Sequence, residues 1–567
     1  MPVNRLTCLH LVILMLTCPC ARGDDGPTVL SAASFGAVGD GATDDGPAVA
    51  RMLTRAREIA GPVRLQFAPA KVYSIRTSPL RYVLPFAGVS DLTLDGSGST
   101  FLLDPYLRFM DLTSSRNVTV RHLNVDFSPL PFADGTVAEV DAAARCLLVR
   151  INEGMSVPAG GPTREDGEQA FFSMLWYDGP YGPVSRHYWT ERIEETGEPG
   201  LVRVYATQEF AAFSDVEPER WQISLPVPGV AHRFGPGPCF RIDGNDTVTF
   251  EDVELWSAPW FGFEVTRNRG KVTFRRVNIR PKPETARLMS LWRDGFHVKG
   301  NSGSLLWEDC ILRGMNDDAF NISTHSSSVQ RVMAPNEVEV RQKFPLLPIP
   351  WRVGSTLIAA DEATRRLLGS ALVTEAVPGP EPAPIQGTPA APAWRIRLDA
   401  PILGLQPGTM VWDPDQCNPH TTLRRCRIEM SCRLQSPVTL ENCDVTALLW
   451  FYSEHVEGAF PSGVRVRDCS LRRGRGNPTL ALVFSGGPSS DAAVPDAGSP
   501  PRAIHDVLIE GSTIRGSVQI EGVQGLRVLE NRFLEPAAEV RLSGNHAWEI
   551  RGNTDAGGRS YLEPPPQ

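Results

Sequence analysis

The chain has 567 residues, more than a single compact domain usually holds. Its hydrophobic content of 42% excludes a disordered chain, and its formal net charge of −9 argues against nucleic acid as a partner. The 50 glycines and 49 prolines favour many turns over long helices.

Residues 1–23 have the pattern of a secretory signal peptide. Arg5 supplies positive charge, and Leu9 to Leu16 form an apolar stretch too short to span a bilayer. We therefore expect a secreted or periplasmic protein with no membrane span, and a lipid anchor is the less supported alternative. Of the 11 cysteines, those beyond this segment are expected to be small buried residues rather than a disulfide framework.

The next segment, residues 24–132, is predicted to form an N-terminal cap and the first coils of a solenoid. Asp45 and Pro47 are typical of a helix start, so we expect Asp45 to cap a helix that ends near Ala60. Such a helix covers the open end of a strand stack, which otherwise exposes an unpaired edge. The stretch from Phe35 to Asp45 resembles the start of pectate-lyase-like β-helix proteins.

A six-residue pattern recurs along the chain, in the order apolar, polar, polar, small or apolar, polar, apolar. Repeats of this spacing with a β pattern indicate stacked coils that bury a shared core. We predict an all-β, right-handed parallel β-helix. The copies are 120–125, 250–255, 274–279, 307–312, 423–428, 440–445, 466–471, 509–514 and 529–534.

Two long segments interrupt the repeat, at residues 133–237 and 328–418. Both contain runs of alternating apolar and polar residues, which predict two small inserted antiparallel β-barrels. The remaining chain is expected to form central coils at 238–327, C-terminal coils at 419–556 and a frayed tail at 557–567.

The central coils carry a second repeat: a small residue, a Phe, a polar residue and a β-branched residue. The Phe positions are 23, 33 and 24 residues apart. Because side chains alternate along a strand, the Phe residues should face inward and the polar residues outward. The resulting polar column either binds sugar hydroxyls or forms a ladder of surface groups. It consists of Arg241, Glu264, His297 and Asn321.

Three carboxylates flank this polar column. A shift of 24 residues places Asp294 on Asp318, and strands in a sheet are about 4.8 Å apart. Asp317 reaches the same surface only if the chain bends before it. Three carboxyls so close should raise at least one pKa, which suits the acid and base of glycoside hydrolysis. Calcium binding or turn capping by Asp317 and Asp318 is the competing interpretation.

Asp294-Gly-Phe-His297 followed by Asn316-Asp-Asp318 resembles the α-1,3-galactosidases of glycoside hydrolase family 110, most sharply over residues 240–325. The resemblance implies exo-hydrolysis of terminal α-1,3-linked galactose, of blood-group B type or linear, with inversion and with no metal or cofactor. It makes Asp317 the general acid and assigns activation of the water to Asp294 with Asp318. A further match to the family is the stretch from Trp450 to Glu454.

The remaining site candidates are aromatic or polar residues near this region. Trp256 and Trp260 are expected either to stack on a sugar face or to pack under the first barrel. His325 and Glu454 are further candidates for substrate binding. The expected partner is a galactose-terminated oligosaccharide or glycoconjugate, and a homodimer is left open.

Three other functions are alternatives for a solenoid with this cluster. A polygalacturonase-type hydrolase would add Gly-His-Gly and Arg-Ile-Lys motifs, and neither occurs in the sequence. A lyase would use a calcium cluster with an Arg or Lys base. A non-catalytic carbohydrate-binding solenoid would not need its three aspartates.

Overall fold

The structure is a computed structural model that describes residues 26–158, 171–179, 182–207, 215–227, 237–343, 349–379, 391–452, 457–475, 479–486, 502–534 and 539–562. The predicted signal peptide and Glu454 lie outside these residues. No helix within these ranges has the length and apolar character needed to cross a bilayer.

The described chain forms two long parallel sheets, which confirms the predicted all-β β-helix. The site sheet has 11 strands: Tyr82–Ala87, Arg108–Thr113, Phe240–Asp243, Phe263–Thr266, Phe296–Lys299, Phe320–Ser323, Cys432–Leu434, Leu449–Tyr452, Leu480–Ser485, Ser517–Glu521 and Val540–Ser543. The back sheet has 21 strands: Thr28–Ser31, Asp40–Asp44, Val63–Gln66, Val72–Ile75, Ser90–Leu103, Arg116–Phe127, Val248–Leu255, Val272–Ile279, Ser304–Glu308, Ile311–Leu312, His420–Arg424, Arg427–Ile428, Val438–Glu441, Asp444–Ala447, Arg465–Arg467, Ser470–Arg475, His505–Glu510, Thr513–Arg515, Gln524–Leu529, Arg532–Phe533 and Glu549–Arg551.

The six-residue pattern marks a sharp bend in the back sheet. The third residue of every copy has a left-handed backbone, with φ between 51° and 60°. The fourth residue, cysteine in four copies, is buried inside the bend, as expected for a small apolar group. The last copy was predicted one residue too late: Ile509 pairs with Val528 and Ile514 with Phe533, so it spans residues 528–533.

The predicted inward stack of Phe residues is confirmed. The rings of Phe240, Phe263, Phe296 and Phe320 are buried and stacked, with centroids 4.3 to 5.3 Å apart. The residue before each Phe must be small because the next coil passes close by. A Cβ on Gly295 would lie 2.7 Å from the carbonyl oxygen of Ala319.

Buried asparagines join successive coils at one corner of the β-helix. The backbone N–H of Asn245 donates to Asn268 Oδ1, that of Asn268 to Asn301 Oδ1, and that of Asn301 to Asn418 Oδ1, at 2.9 to 3.0 Å. Each amide therefore completes the hydrogen bonding of a neighbouring coil, where the turn leaves backbone groups without strand partners.

The two interruptions form closed six-stranded antiparallel barrels, as predicted. The first consists of Phe132–Asp141, Cys146–Ile151, Phe171–Gly179, Gly182–Glu195, Leu201–Ala206 and Gln222–Pro226. The second consists of Ser327–Ala334, Glu337–Gln342, Thr356–Asp361, Arg366–Pro378, Ala393–Leu398 and Met410–Trp412. His187 of the first barrel contacts the backbone carbonyl of Asn316, next to Asp317.

The cap helix spans Gly46–Arg57, and short 3-10 helices span Ala32–Phe35 and Pro414–Gln416. Asp45 occupies the predicted N-cap position, but its side chain makes no capping hydrogen bond to the helix. Its backbone is already helical, and its carboxylate accepts the N–H groups of Val38 at 2.7 Å and Gly39 at 3.2 Å. Asp44 instead accepts the N–H of Gly46 at 3.1 Å.

The asparagine ladder predicts a strong effect of Asn268→Ala. The change removes the amide that joins Asn245, Ile242 and Asn301. The backbone N–H of Asn245 and the carbonyl of Ile242 each lose this hydrogen bond, while Asn301 Oδ1 keeps the backbone N–H of residue 268. We expect the free energy of unfolding, measured by urea denaturation, to fall by about 3 kcal/mol. Asn124→Ala is the control, because that half-buried amide makes only long hydrogen bonds of 3.3 and 3.4 Å. Equal losses in the two variants would contradict a role of the ladder in stability.

Candidate active site

The three predicted carboxylates lie together on the outer wall of the β-helix. Asp294 and Asp318 are on adjacent coils, because the N–H of Gly295 donates to the backbone oxygen of Asp318 at 2.8 Å. Asp317 is brought to the same surface by the turn before it. One carboxylate oxygen from each residue lies within 4.8 Å of the other two. These three residues form the acidic cluster.

The members of the acidic cluster differ in exposure. The side chains of Asp294 and Asp318 are 4% and 6% exposed, whereas that of Asp317 is 32% exposed. Asp317 Oδ2 accepts a hydrogen bond from Arg293 Nη1 at 2.9 Å. Asp318 Oδ1 accepts one from Ser431 Oγ at 2.9 Å, and its Oδ2 lies 3.6 Å from Arg433 Nε. Asp317 is therefore the member that a bound molecule reaches most easily.

The buried pair favours its protonated form. Burial raises the pKa of both Asp294 and Asp318 well above the usual range, and the charge of Asp317 adds to the effect. The guanidinium of Arg433 opposes the rise at Asp318. The cluster can therefore hold a proton at a pH where an ordinary aspartate has lost it.

His297 is a neutral neighbour of this pair. Its Nδ1 lies 2.7 Å from Asp294 Oδ2, and its ring stacks on Phe261 at 4.6 Å. Burial, together with the charge of Lys299, lowers the pKa of His297 to about 3. A neutral imidazole can donate to Asp294 when that group is ionised or accept from it when it is protonated.

The polar column runs in register across four coils, as predicted. Its two ends have different surroundings. At one end, Arg241 forms an ion pair with Asp243 at 2.9 Å and lies 3.6 Å from Asp111. Beside it, burial raises the pKa of Glu264 to about 7. Asn321 lies beside Lys299, whose Nζ donates to its Oδ1 at 2.8 Å.

The other described sequence candidates lie at different positions relative to the cluster. Trp260 lies under the guanidinium of Arg293, 5.2 Å from its ring, and is therefore near Asp317. Trp256 instead faces the ammonium of Lys282 at 4.9 Å. His325 is buried at the start of the second barrel, 3.2 Å from Gln342 Nε2. Neither of these two contacts involves the acidic cluster.

Four charged residues beside the cluster were missed from the sequence. Arg293 directly precedes Asp294 and contacts Asp317 at 2.9 Å. Lys299 lies two places after His297 and faces the same way, so the alternation of the strand could have indicated it. Arg433 lies opposite Asn321 in the register of the two adjacent strands, one coil further along. Glu457 follows the strand Leu449–Tyr452 in a loop, and no periodic pattern marks it.

Three carboxylates at this spacing would also suit a hard divalent cation, which prefers oxygen ligands. The surroundings argue against a cation. Arg293 contacts Asp317 at 2.9 Å and Arg433 lies 3.6 Å from Asp318, so two guanidinium groups already supply positive charge there. The fold and the cluster define a class: a parallel β-helix protein with a proton-holding group of carboxyls on its outer wall.

The chain is a distant homologue of α-1,3-galactosidases, which confirms the resemblance found in the sequence. It is 24% identical to α-1,3-galactosidase B of Bacteroides thetaiotaomicron over 45% of its length, and 24% identical to that of Parabacteroides distasonis over 58%. It is 22% identical to α-1,3-galactosidase A of Streptomyces avermitilis over 56%. The chain spans about half the length of these curated relatives, 41% to 56%. No protein-family profile matches it.

Solved structures give similarity at the level of fold alone. An exopolygalacturonase from Thermotoga maritima aligns with 93% of this chain and 92% of its own, with a TM-score of 0.36 and 12% identity. The A-module of a mannuronan C-5 epimerase from Azotobacter vinelandii aligns with 93% of this chain and 87% of its own, with a TM-score of 0.34 and 11% identity. Scores this low give no basis for comparing sites.

The buried pair predicts an unusual dependence of stability on pH. The folded-state pKa of Asp318 lies above the unfolded value of about 3.9. Between these two pKa values the folded state binds more protons than the unfolded state, so the protein loses stability as the pH rises from the lower value to the higher one. Asp318→Asn removes this loss. We expect the variant to melt about 2 °C above the parent at pH 8, with a smaller difference at pH 4, in thermal denaturation.

Asp309→Asn is the matched control on the back sheet. Arg425 lowers the pKa of Asp309, so the parent gains a little stability as the pH rises from 3 to 8. This variant lacks that gain and should fall slightly further below the parent over the same range, the opposite sign. If Asp318→Asn were destabilised more at pH 8 than at pH 4, the proposed cost of the buried charge would be wrong.

Proposed function

We propose that this protein is a glycoside hydrolase that releases terminal α-1,3-linked galactose from a glycan. The acidic cluster is the observation that carries the proposal. It combines one accessible carboxyl with two buried ones of raised pKa, and the distant homology to α-1,3-galactosidases indicates the sugar and the linkage. Glycoside hydrolysis needs this combination of an acid and a base beside the scissile bond.

Exposure supports the division of roles. Asp317 is the most accessible member and is assigned to protonate the glycosidic oxygen. Asp294 and Asp318 are assigned to hold and activate the attacking water. To act as the base the pair must first have released a proton, and its raised pKa values then make the carboxylate a stronger base than an ordinary aspartate. Two oxygens up to 4.8 Å apart can share one water, because two hydrogen bonds of about 2.8 Å span that distance. His297 steadies Asp294 in either protonation state.

The stereochemical outcome proposed is inversion, through a single displacement by that water. The cluster is tighter than the usual spacing of inverting enzymes, whose acid and base are about 6.5–9.5 Å apart, whereas these oxygens lie within 4.8 Å. Inversion is proposed from the resemblance to the α-1,3-galactosidases, whereas the spacing itself is closer to the separation of about 5–5.5 Å in retaining enzymes. A retaining enzyme would need one of the carboxyls to attack the sugar directly.

Asp317→Asn tests the general acid. We expect kcat/KM on an α-1,3-galactobioside to fall about 1,000-fold, because the leaving alcohol then departs without a proton. An aryl α-galactoside with an acidic phenol needs little protonation and should lose less than about tenfold. Asp309→Asn should leave both rates unchanged. Equal losses on the two substrates would contradict the role assigned to Asp317.

Inversion is tested by following the first turnovers by proton NMR. An α-galactoside should give β-galactose first, with the α anomer appearing only by mutarotation. Initial release of α-galactose would establish retention and assign a nucleophile to the buried pair. Turnover with no galactose, or with an unsaturated product, would exclude a hydrolase of this type.

A further inference from the structure

Four polar side chains form one network beside the acidic cluster. Lys299 is only 1% exposed, and its Nζ lies 3.5 Å from Glu457 Oε1. Asn321 Nδ2 donates to Glu457 Oε2 at 3.3 Å, and Arg433 Nη2 lies 3.7 Å from the same oxygen. These residues form the Glu457 subsite.

The charges of this subsite are not explained by stability. Burying an ammonium group removes its hydration, and an ion pair recovers this loss only when its geometry is good. A buried ion pair is therefore not expected to stabilise the fold by itself. Burial would raise the pKa of Glu457, but the charges of Lys299 and Arg433 and the hydrogen bond from Asn321 lower it to about 2. Glu457 is therefore an ionised acceptor throughout the range in which the acidic cluster titrates. Its side chain remains 19% exposed and can be reached.

The subsite is continuous with the acidic cluster and with an exposed aromatic face. Arg433 Nε lies 3.6 Å from Asp318 Oδ2 and donates to Tyr452 Oη at 2.8 Å. The next residue in register is Trp450, which is 36% exposed and stacks on Tyr452 at 3.9 Å. A wall with charged donors, an acceptor carboxylate and an aromatic face has the chemistry that recognises a neutral sugar ring.

We propose that the Glu457 subsite binds the terminal sugar through two neighbouring free hydroxyls. Glu457 accepts a hydrogen bond from each hydroxyl, and Arg433 donates to their oxygens. The buried ammonium of Lys299, which contacts Asn321, Ser323 and Glu457, holds the carboxylate in place. The ligand class is a neutral hexopyranose with an unsubstituted vicinal diol, so a substituent on either hydroxyl excludes the sugar and restricts cleavage to chain ends. This inference rests on the proposed function and adds the residues that select the substrate.

Glu457→Gln tests the proposal, since glutamine keeps the shape and removes the charge. We expect kcat/KM on an α-1,3-galactobioside to fall about 100-fold, the effect of losing charge-assisted hydrogen bonds. Glu441→Gln is the matched control, because Glu441 also pairs with an arginine, Arg424 at 2.9 Å, but lies on the back sheet. That variant should keep the parental rate.

Galactosides that lack one hydroxyl show whether Glu457 recognises the sugar or only supports the structure of the site. The 3-deoxy or the 4-deoxy substrate should lose about 100-fold with the parent enzyme but less than about fivefold with Glu457→Gln, because the partner of that hydroxyl is already absent. An equal deoxy penalty in both enzymes would overturn the subsite while leaving the galactosidase function intact.

Galactose binding gives a readout that does not depend on turnover. Galactose should raise the melting temperature of the parent and of Asp317→Asn, but not that of Glu457→Gln. If galactose binds through Glu457 and no galactoside is hydrolysed, the subsite stands and the proposed activity fails. If galactose stabilises none of the three proteins, or all of them equally, the subsite is rejected.

Discussion

In-register stacking of parallel strands is the constraint on which the rest of this structure depends. Backbone hydrogen bonds hold neighbouring coils at a fixed spacing, and the buried ladder from Asn245 to Asn418 fixes the register at one corner. A slip of one residue would turn every Phe of the inner stack outward. The same register places Asp294 beside Asp318, so the site's geometry follows from the way the core packs.

The rigid stack also explains how carboxyls with raised pKa values can persist side by side. Like charges in a buried setting repel and lose hydration, and a flexible chain would relieve this by moving them apart. Here each aspartate is adjacent to a Gly-Phe or Ala-Phe pair whose Phe is locked in the core. Arg293 and Arg433 offset part of the negative charge from outside the buried pair.

Much of the fold could be predicted because its signals are local and repeated. The period-two alternation in Phe296-His-Val-Lys299 assigns inner and outer faces, and the 24-residue shift aligns Asp294 with Asp318. The six-residue pattern predicted the bends, although its last copy was placed one residue late. That error arose because residues 528 and 529 are both apolar, and only strand pairing to Ile509 distinguishes them.

The sequence by itself determined the fold class, the inward Phe stack and the adjacency of residues 294 and 318, since each depends on a period that the chain carries. Only the tertiary structure decided the rest. His187 contacts the residue before Asp317, a turn brings Asp317 to the cluster, and Glu457 approaches Lys299. Each of these contacts joins parts of the chain whose separation in sequence does not match the repeat of the coils. A barrel strand and an irregular loop have no repeat to align, so their positions follow from packing against the coils and not from any pattern in the residues.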